Sequence, residues 1–248
     1  MDTPIDRAMV LAAGYGTRMR PLTDRLPKPL VPIAGRPMIA HALEHLREAG
    51  VREVVVNVSH LKEPLIQYLR SYPGLNCLIS EEEEPLETGG GLRQALPLLG
   101  NRPLFVINAD ILWIDRGEPA LQRLARQWDD ARMDWLFLVQ SRARALGYDR
   151  GEDHLFVTPA NTIGWEAQDA PYIIASVYVM HPRVLAGVPP GKFSAKVLWR
   201  KAMAENRLWC LPHQGLWCQA GTIPDLQRAE ALLASFESRA VPSPLTPQ

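Results

Sequence analysis

The sequence predicts an α/β fold, a doubly wound and mostly parallel mixed sheet with a small insertion near one edge. Three observations lead there. Short apolar, β-branched runs alternate with helix-period segments through the first half. The helical connections are long enough for right-handed crossovers between parallel strands. The alternation then loosens into a polar, glycine-containing stretch over residues 141–171, which suggests a hairpin or insertion over one edge.

In chain order, residues 8–12 (AMVLA) read as a buried strand, and residues 38–49 carry apolar side chains at helical spacing with Gly50 as the stop. Residues 53–58 (EVVVNV) form the next strand and 62–69 a short amphipathic helix. Residues 76–80 are a strand, 91–98 a helix that starts at Gly91, and 103–107 (PLFVI) a buried strand. A helix over 120–131 precedes a strand over 135–139 (WLFLV). Residues 172–180 (YIIASVYVM) form a long strand, 195–205 a helix, and 208–211 and 216–218 short strands. A last helix spans 224–238, with proline in its first turn. The whole is expected to be one domain over 1–240. The proline-rich tail 241–248 is expected to be disordered.

Composition narrows the function. The chain has 248 residues, of which 47% are hydrophobic, enough to bury a large core. Twenty-seven basic residues balance 27 acidic ones, and no basic block stands out, so a nucleic-acid partner is disfavoured. The acidic run Glu81 to Glu84 reads as a solvated loop. Cys77, Cys210 and Cys218 have no metal-ligand spacing and form no even disulfide framework, so free, buried thiols are expected. No stretch approaches the ~20 apolar residues of a membrane span, and the N-terminus lacks a basic leader. A cytoplasmic location without membrane contact is expected.

The most informative stretch begins where the first strand ends, at Ala13-Gly14-Tyr15-Gly16-Thr17-Arg18. Glycines there allow a sharp turn and bring backbone N–H groups against an anionic ligand. Arg18 and Lys28 add full positive charges suited to polyphosphate oxygens, and Pro27 and Pro29 stiffen the chain around the lysine. Both cations are expected to be exposed. A lone G-x-G also describes an ordinary strand-to-helix turn. The Rossmann fingerprint needs a third glycine where Met19 stands, and a P-loop needs its lysine at a helix start rather than between prolines.

Downstream, Asn108-Ala109-Asp110 follows directly on the buried strand, where open α/β sheets bind ligands. A cap or turn role is the plainer alternative for that acid. His41 and His45 lie one helical turn apart without the glutamate of a zinc protease between them, so packing or solvent exposure explains them. No Gly-x-Ser-x-Gly elbow is present. The tryptophans read mostly as core, with Trp199 and Trp217 as candidates to border a sugar pocket.

The run LAAGYGTRMRPLTDRLPKPLVPIAGRPMI resembles the opening motif of the sugar-1-phosphate nucleotidyltransferases, G-x-G-T-R-(x)n-P-K-P, and EPLETGGGLRQALPLL and FVINADIL follow in that family's order and spacing. The resemblance is dense over residues 8–112 and thinner to about residue 235. It implies a nucleotide-binding half over about 8–112 and an acceptor-binding half over about 113–238. It further implies that Ala13, Gly14, Gly16, Thr17 and Arg18 hold a nucleoside triphosphate, that Lys28 faces the reacting phosphate, and that Thr88 and Gly89 line the base pocket. Asp110 would bind Mg²⁺, and Asn108, Asp153 and Ser176 would contact the acceptor sugar. The activity so implied is transfer of a nucleotidyl group, UTP being the first candidate donor, to a sugar 1-phosphate such as N-acetylmuramate 1-phosphate. Guanylyl transfer to mannose 1-phosphate is the alternative, and a nucleotide-sugar binding protein with little turnover is the other. A monomer or homodimer is expected.

Two positions depart from the family. Its Trp-x-Asp-x-Gly-Thr segment reads Trp217-Cys218-Gln219-Ala220-Gly221-Thr222 here, so an amide stands where the second metal-binding carboxylate is usual. Gln219 is left as a weak or water-mediated ligand. The family's Thr-Gly or Ser-Gly pair on the acceptor strand reads Ala175-Ser176.

Overall fold

Alternation along each strand decides how this chain layers itself. In β1 (Arg7–Leu11), Ala8 and Val10 face one side and Met9 the other, all three fully buried. A strand buried on both faces needs helices on both faces. The computed structural model describes residues 5–148, 155–157, 163–165 and 171–240.

After β1 come three 3-10 turns, the small hairpin β2 (Pro32–Ile33) and β3 (Arg36–Pro37), and α1 (Met38–Glu48). The alternation continues with β4 (Glu53–Val58), α2 (Lys62–Arg70), β5 (Asn76–Glu81), α3 (Glu87–Leu99) and β6 (Leu104–Asn108). Then follow β7 (Ile111–Ile114), α4 (Ala120–Gln127), β8 (Trp135–Ser141), β9 (Ala145–Leu146), β10 (Leu155–Val157), β11 (Ile163–Trp165) and β12 (Tyr172–Met180). The chain continues through α5 (Lys196–Ala204), β13 (Leu208–Pro212), β14 (Leu216–Gln219) and α6 (Ile223–Ala240).

The main sheet runs β5-β4-β1-β6-β12, with β8 and β13 continuing from β12 and the antiparallel hairpin β10-β11 also attached to it. The pairs β5-β4, β4-β1, β1-β6 and β8-β13 are parallel, and β12 is antiparallel to both β6 and β8. So β1, β4, β5, β6, β8 and β13 all end at one edge of the sheet. One face packs Val10, Val56 and Ile107 against α1, α2 and α4; the other packs Met9, Val55 and Val106 against α3 and α5. A second sheet, β7-β14-β9, joins α6 in a third apolar cluster with Met19, Val31 and Ile33.

Besides the short strands β2, β3 and β9, which the sequence reading did not include, the structure departs from it in three places. Helix α3 begins at Glu87 and takes in the three glycines. Glycine is required there by tertiary approach: a Cβ on Gly89 would stand 2.4 Å from the Phe193 ring, and one on Gly90 would stand 2.3 Å from the Gly191 carbonyl oxygen. Helix α4 stops at Gln127, because Trp128 is extended and the Asp129 carboxylate accepts the Ala131 N–H in a turn of its own. Strand β7 was not anticipated, since ILWI follows Asp110 without a turn signal of its own. The tail 241–248 lies outside the described residues.

At the opposite edge, Asp134 ties three strands together. Its carboxylate accepts from Arg183 Nε at 2.7 Å, and Arg207 Nε lies 3.0 Å from its other oxygen, joining the start of β8 to the turn after β12 and to the residue before β13. Burial raises the Asp134 pKa, but the hydrogen bonds from Arg207 and Arg183 outweigh it and hold the carboxyl below its usual range. Asp134→Asn should cost about 1.5–3 kcal/mol in urea unfolding at neutral pH. A lowered pKa gives stability that is full above the unfolded-state pKa and lost as pH falls through the folded one. The gap between variant and wild type should therefore persist above about pH 4 and close below it. A gap independent of pH would refute this role.

Candidate active site

At the edge where the parallel strands end, the loop after β1 closes on itself. Gly16 adopts φ +62°, and a Cβ there would stand 3.0 Å from Thr23 Cγ2 and 3.1 Å from Lys28 Cβ, so both conformation and space require glycine. Thr23 donates its hydroxyl to the Gly16 carbonyl at 2.8 Å, and buried Met19 anchors the following turn in the third apolar cluster. A Cβ on Gly14, by contrast, would meet nothing within 4 Å, which leaves its face of the loop open.

Lys28 sits in a short turn between Pro27 and Pro29, with Leu30 N–H donating to the Pro27 carbonyl and Val31 N–H to that of Lys28. Its ammonium lies 2.5 Å from Asp110 Oδ2, and the two side chains are 18% and 16% exposed. Lys28 is therefore mostly buried and paired, a correction to its expected exposure, whereas Arg18 is exposed as anticipated. Asp110 is held by its own backbone region: Ala109 N–H donates to the Leu11 carbonyl at 3.0 Å, and Ala220 N–H to the Asp110 carbonyl at 2.9 Å.

These elements wall a cleft of ≈ 300 Å³. Ala13, Gly14, Gly16, Thr17, Arg18 and Lys28 line it, together with Thr88, Asn108 and Asp110. Gly221 also lines it, and the Arg18 guanidinium is packed over that glycine, where a Cβ would lie 3.4 Å from Nη2. The remaining residues named from sequence are placed elsewhere. Gly89 is packed beneath Phe193 and does not appear on the wall. Gln219 ends β14 opposite Ile111, beside Asp110 but off the wall. Asp153 lies outside the described residues.

Ser176 occupies an irregularity in β12, where the pairing with β8 shifts between Ile174 and Tyr178. Its φ of +54° is left-handed, so the strand keeps a glycine-type conformation while carrying a serine. Trp217, one of two tryptophans suggested for a sugar pocket, lies under this bulge and donates Nε1–H to the Ala175 carbonyl at 2.9 Å. Trp199 instead meets Trp135 and Phe137 edge-on in the core. Both helical histidines are structural: His41 Nε2 lies 3.2 Å from the Ile33 carbonyl, and His45 stacks on Trp113. Burial pushes Cys77 up to about 11 and Cys210 and Cys218 up to about 12, so none offers a thiolate at neutral pH.

Sequence reasoning missed three polar residues on the wall, Asn57, Glu82 and Glu87, the last opening α3 with a left-handed φ of +62°. Asn57 is a polar residue near the end of an otherwise apolar strand, a readable signal. Glu82 hid within the acidic run; far from being solvated, it is 2% exposed.

The model of the nucleotidyl transferase family matches residues 7–151, more than half of the chain and every residue on the cleft wall except Gly221. The chain belongs to that family. Like the family, it is an enzyme of the nucleotidyltransferase class. It is 39% identical over 233 residues to an N-acetylmuramate α-1-phosphate uridylyltransferase of Caulobacter vibrioides, covering 92% of this chain and 96% of the relative. It is 31% identical to a mannose-1-phosphate guanyltransferase of Candida glabrata, covering 97% of this chain and 68% of that one. A UDP-glucose pyrophosphorylase solved with UDP-glucose has the same fold, with a TM-score of 0.79 at 20% identity over 94% of this chain and 99% of the other.

Relieving the left-handed serine tests the bulge. Non-glycine residues pay roughly 1–2 kcal/mol there, partly offset by the chain entropy that a glycine adds to the unfolded state. Ser176→Gly should thus leave thermal stability equal or raise it by a few degrees, and should alter the turnover ranking among sugar 1-phosphates without changing triphosphate affinity. A lower melting temperature with an unchanged ranking would contradict both expectations.

Proposed function

We propose that this nucleotidyltransferase moves a uridylyl group from UTP to N-acetylmuramate 1-phosphate and releases pyrophosphate. The observation that carries this reading is the convergence of Arg18, Lys28 and Asp110 on one cleft, in a chain similar over 92% of its length to an N-acetylmuramate α-1-phosphate uridylyltransferase. An acceptor phosphate oxygen attacks the α-phosphorus, the α–β bridging bond breaks, and its electron pair leaves on pyrophosphate. Like charges oppose the approach, so positioning and charge neutralisation supply the catalysis, without a covalent nucleophile.

Lys28 offers its ammonium to the phosphate that reacts, exchanging the Asp110 oxygen for a phosphate oxygen. Arg18, exposed at the mouth, offers a fork to the phosphates that leave. The open face of Gly14 lets the chain lie against backbone N–H groups. Of the carboxylates on the wall, Glu82 already accepts from Asn57 and the Leu86 N–H, and Glu87 opens α3 beside Thr88. Asp110, beside Lys28, is the one we assign to a divalent ion, which suits Mg²⁺ because that ion commonly takes one or two carboxylates and completes its shell with phosphate oxygens and water. Mg²⁺ held there would neutralise charge on the α-phosphate and pyrophosphate. Gln219 adds no charge to that set, and this favours a weakly held ion.

The likeness to a mannose-1-phosphate guanyltransferase supports GTP with mannose 1-phosphate as the second pair. Pyrophosphate release from a panel of four triphosphates and several sugar 1-phosphates separates the readings. The fastest pair should be UTP with N-acetylmuramate 1-phosphate; another fastest pair overturns the substrates, and binding without release from any pair overturns the catalysis.

Lys28→Ala should lower turnover by roughly ten- to a hundredfold, the worth of a charge-assisted contact of about 1.5–3 kcal/mol. Magnesium half-saturation should be high in the wild type and fall in Gln219→Asp, while Asp110→Ala should remove activity. An active Asp110→Ala would place the ion elsewhere.

A further inference from the structure

The acidic run that the sequence presents as a solvated loop contains a buried carboxylate with a defined set of partners. Asn57 stands beside Leu11 in the parallel register of β4 and β1. Its Oδ1 accepts the Ala12 N–H at 2.7 Å, at the point where the glycine-rich loop leaves β1. Its Nδ2 donates to Glu82 Oε1 at 2.7 Å. Glu82 Oε2 in turn accepts the Leu86 N–H at 2.8 Å, immediately before α3, whose first turn carries Thr88. Asn57 is 3% exposed and Glu82 2%, and both face the cleft. Helix α3 lies directly over the pair: a Cβ on Gly91 would stand 2.8 Å from Glu82 Oε1 and 2.9 Å from Asn57 Nδ2.

We infer that Asn57 and Glu82 are positioning residues, a buried three-bond strap that fixes the spacing between the glycine-rich loop and the first turn of α3. One nucleotide can then engage both at once. The inference rests on the nucleotide-binding reading of this cleft. The donor count explains the residue types. Two donors, Asn57 Nδ2 and the Leu86 N–H, converge on residue 82, and a carboxylate satisfies both with its two oxygens. Glutamine has a single oxygen, so its amide nitrogen would face one of the donors whichever way it turned. Aspartate at 57 would keep the bond from Ala12 but set an oxygen against Glu82 Oε1. Either mismatch leaves a buried polar group unpaired.

The same logic gives a rescue. In the double variant Asn57→Asp with Glu82→Gln, the carboxylate now at position 57 accepts the Ala12 N–H and an amide N–H from the side chain at position 82. The carbonyl oxygen of that amide accepts the Leu86 N–H. All three bonds return with one direction reversed and the net charge preserved. The experiment measures affinity for UTP and for GTP, KM for the triphosphate, kcat and melting temperature for the wild type, both single variants and the double variant.

Each single variant should weaken triphosphate affinity about tenfold or more with a smaller change in kcat, and the double variant should return to within about threefold of the wild type. Folded single variants with wild-type affinity would overturn the inference. So would a double variant that regains its melting temperature but not its affinity, because Glu82 would then be touching the nucleotide itself. If the single variants fail to fold, the double variant decides alone: it must fold and bind. A wild-type protein with no affinity for any triphosphate overturns the underlying nucleotide reading instead.

Discussion

One ion pair organises the active edge of this molecule. Lys28, carried by a proline-stiffened turn some distance along the chain from β1, meets Asp110 at the end of β6 with 2.5 Å between ammonium and carboxylate. Both are largely shielded from water, so the attraction is stronger than at a surface and fixes where the loop lies over the strand ends. In the proposed reaction the pair would hold two opposite charges in a mutually neutralised form. Substrate phosphates would take the ammonium, and a divalent ion would take the carboxylate. Charge is thus stored in the scaffold before it is needed, which is the preorganisation expected of a site that works by electrostatics.

The remaining architecture keeps that pair in place. Parallel strands bring their ends to one edge, and the antiparallel β12 joins β6 to β8 within the sheet. The small sheet β7-β14-β9 backs Asp110 from the other side through the bond from Ala220. Gly221, one residue on, gives the Arg18 guanidinium room to lie flat against the backbone. Gly147, at φ +70°, similarly allows close approach to the Gln219 carbonyl oxygen, where a Cβ would stand at 2.2 Å. A chain segment that in this protein lacks the family's acidic residue is therefore still packed as a support for Asp110.

Much of this was legible in the residues. The strand periods of Met9 and Val10, the glycine requirement at Gly16 and the paired prolines around Lys28 each have a local physical cause, and local causes are written in the sequence. What was not legible depends on distant partners. The glycines at 89 and 90 argued against helix locally, yet they permit α3 to pack under Phe193 and Gly191. Glu82 looked like its three acidic neighbours until Asn57 and the Leu86 N–H were seen to converge on it. Lys28 was expected in solvent because its partner is 82 positions away in the chain. The left-handed φ of Ser176 likewise follows from the bulge in β12, not from the identity of the residue.

The central claim is that Asp110 holds Lys28 in reserve and that phosphates compete with it for the ammonium. The most direct measurement is triphosphate affinity in the absence of divalent cations, for the wild type and Asp110→Ala, by calorimetry without acceptor. Removing the carboxylate frees Lys28 and deletes a negative charge from the cleft, so the variant should bind the triphosphate more tightly than the wild type while losing turnover. Equal or weaker binding by Asp110→Ala would mean that the pair is no reserve for the phosphates, and would contradict the account.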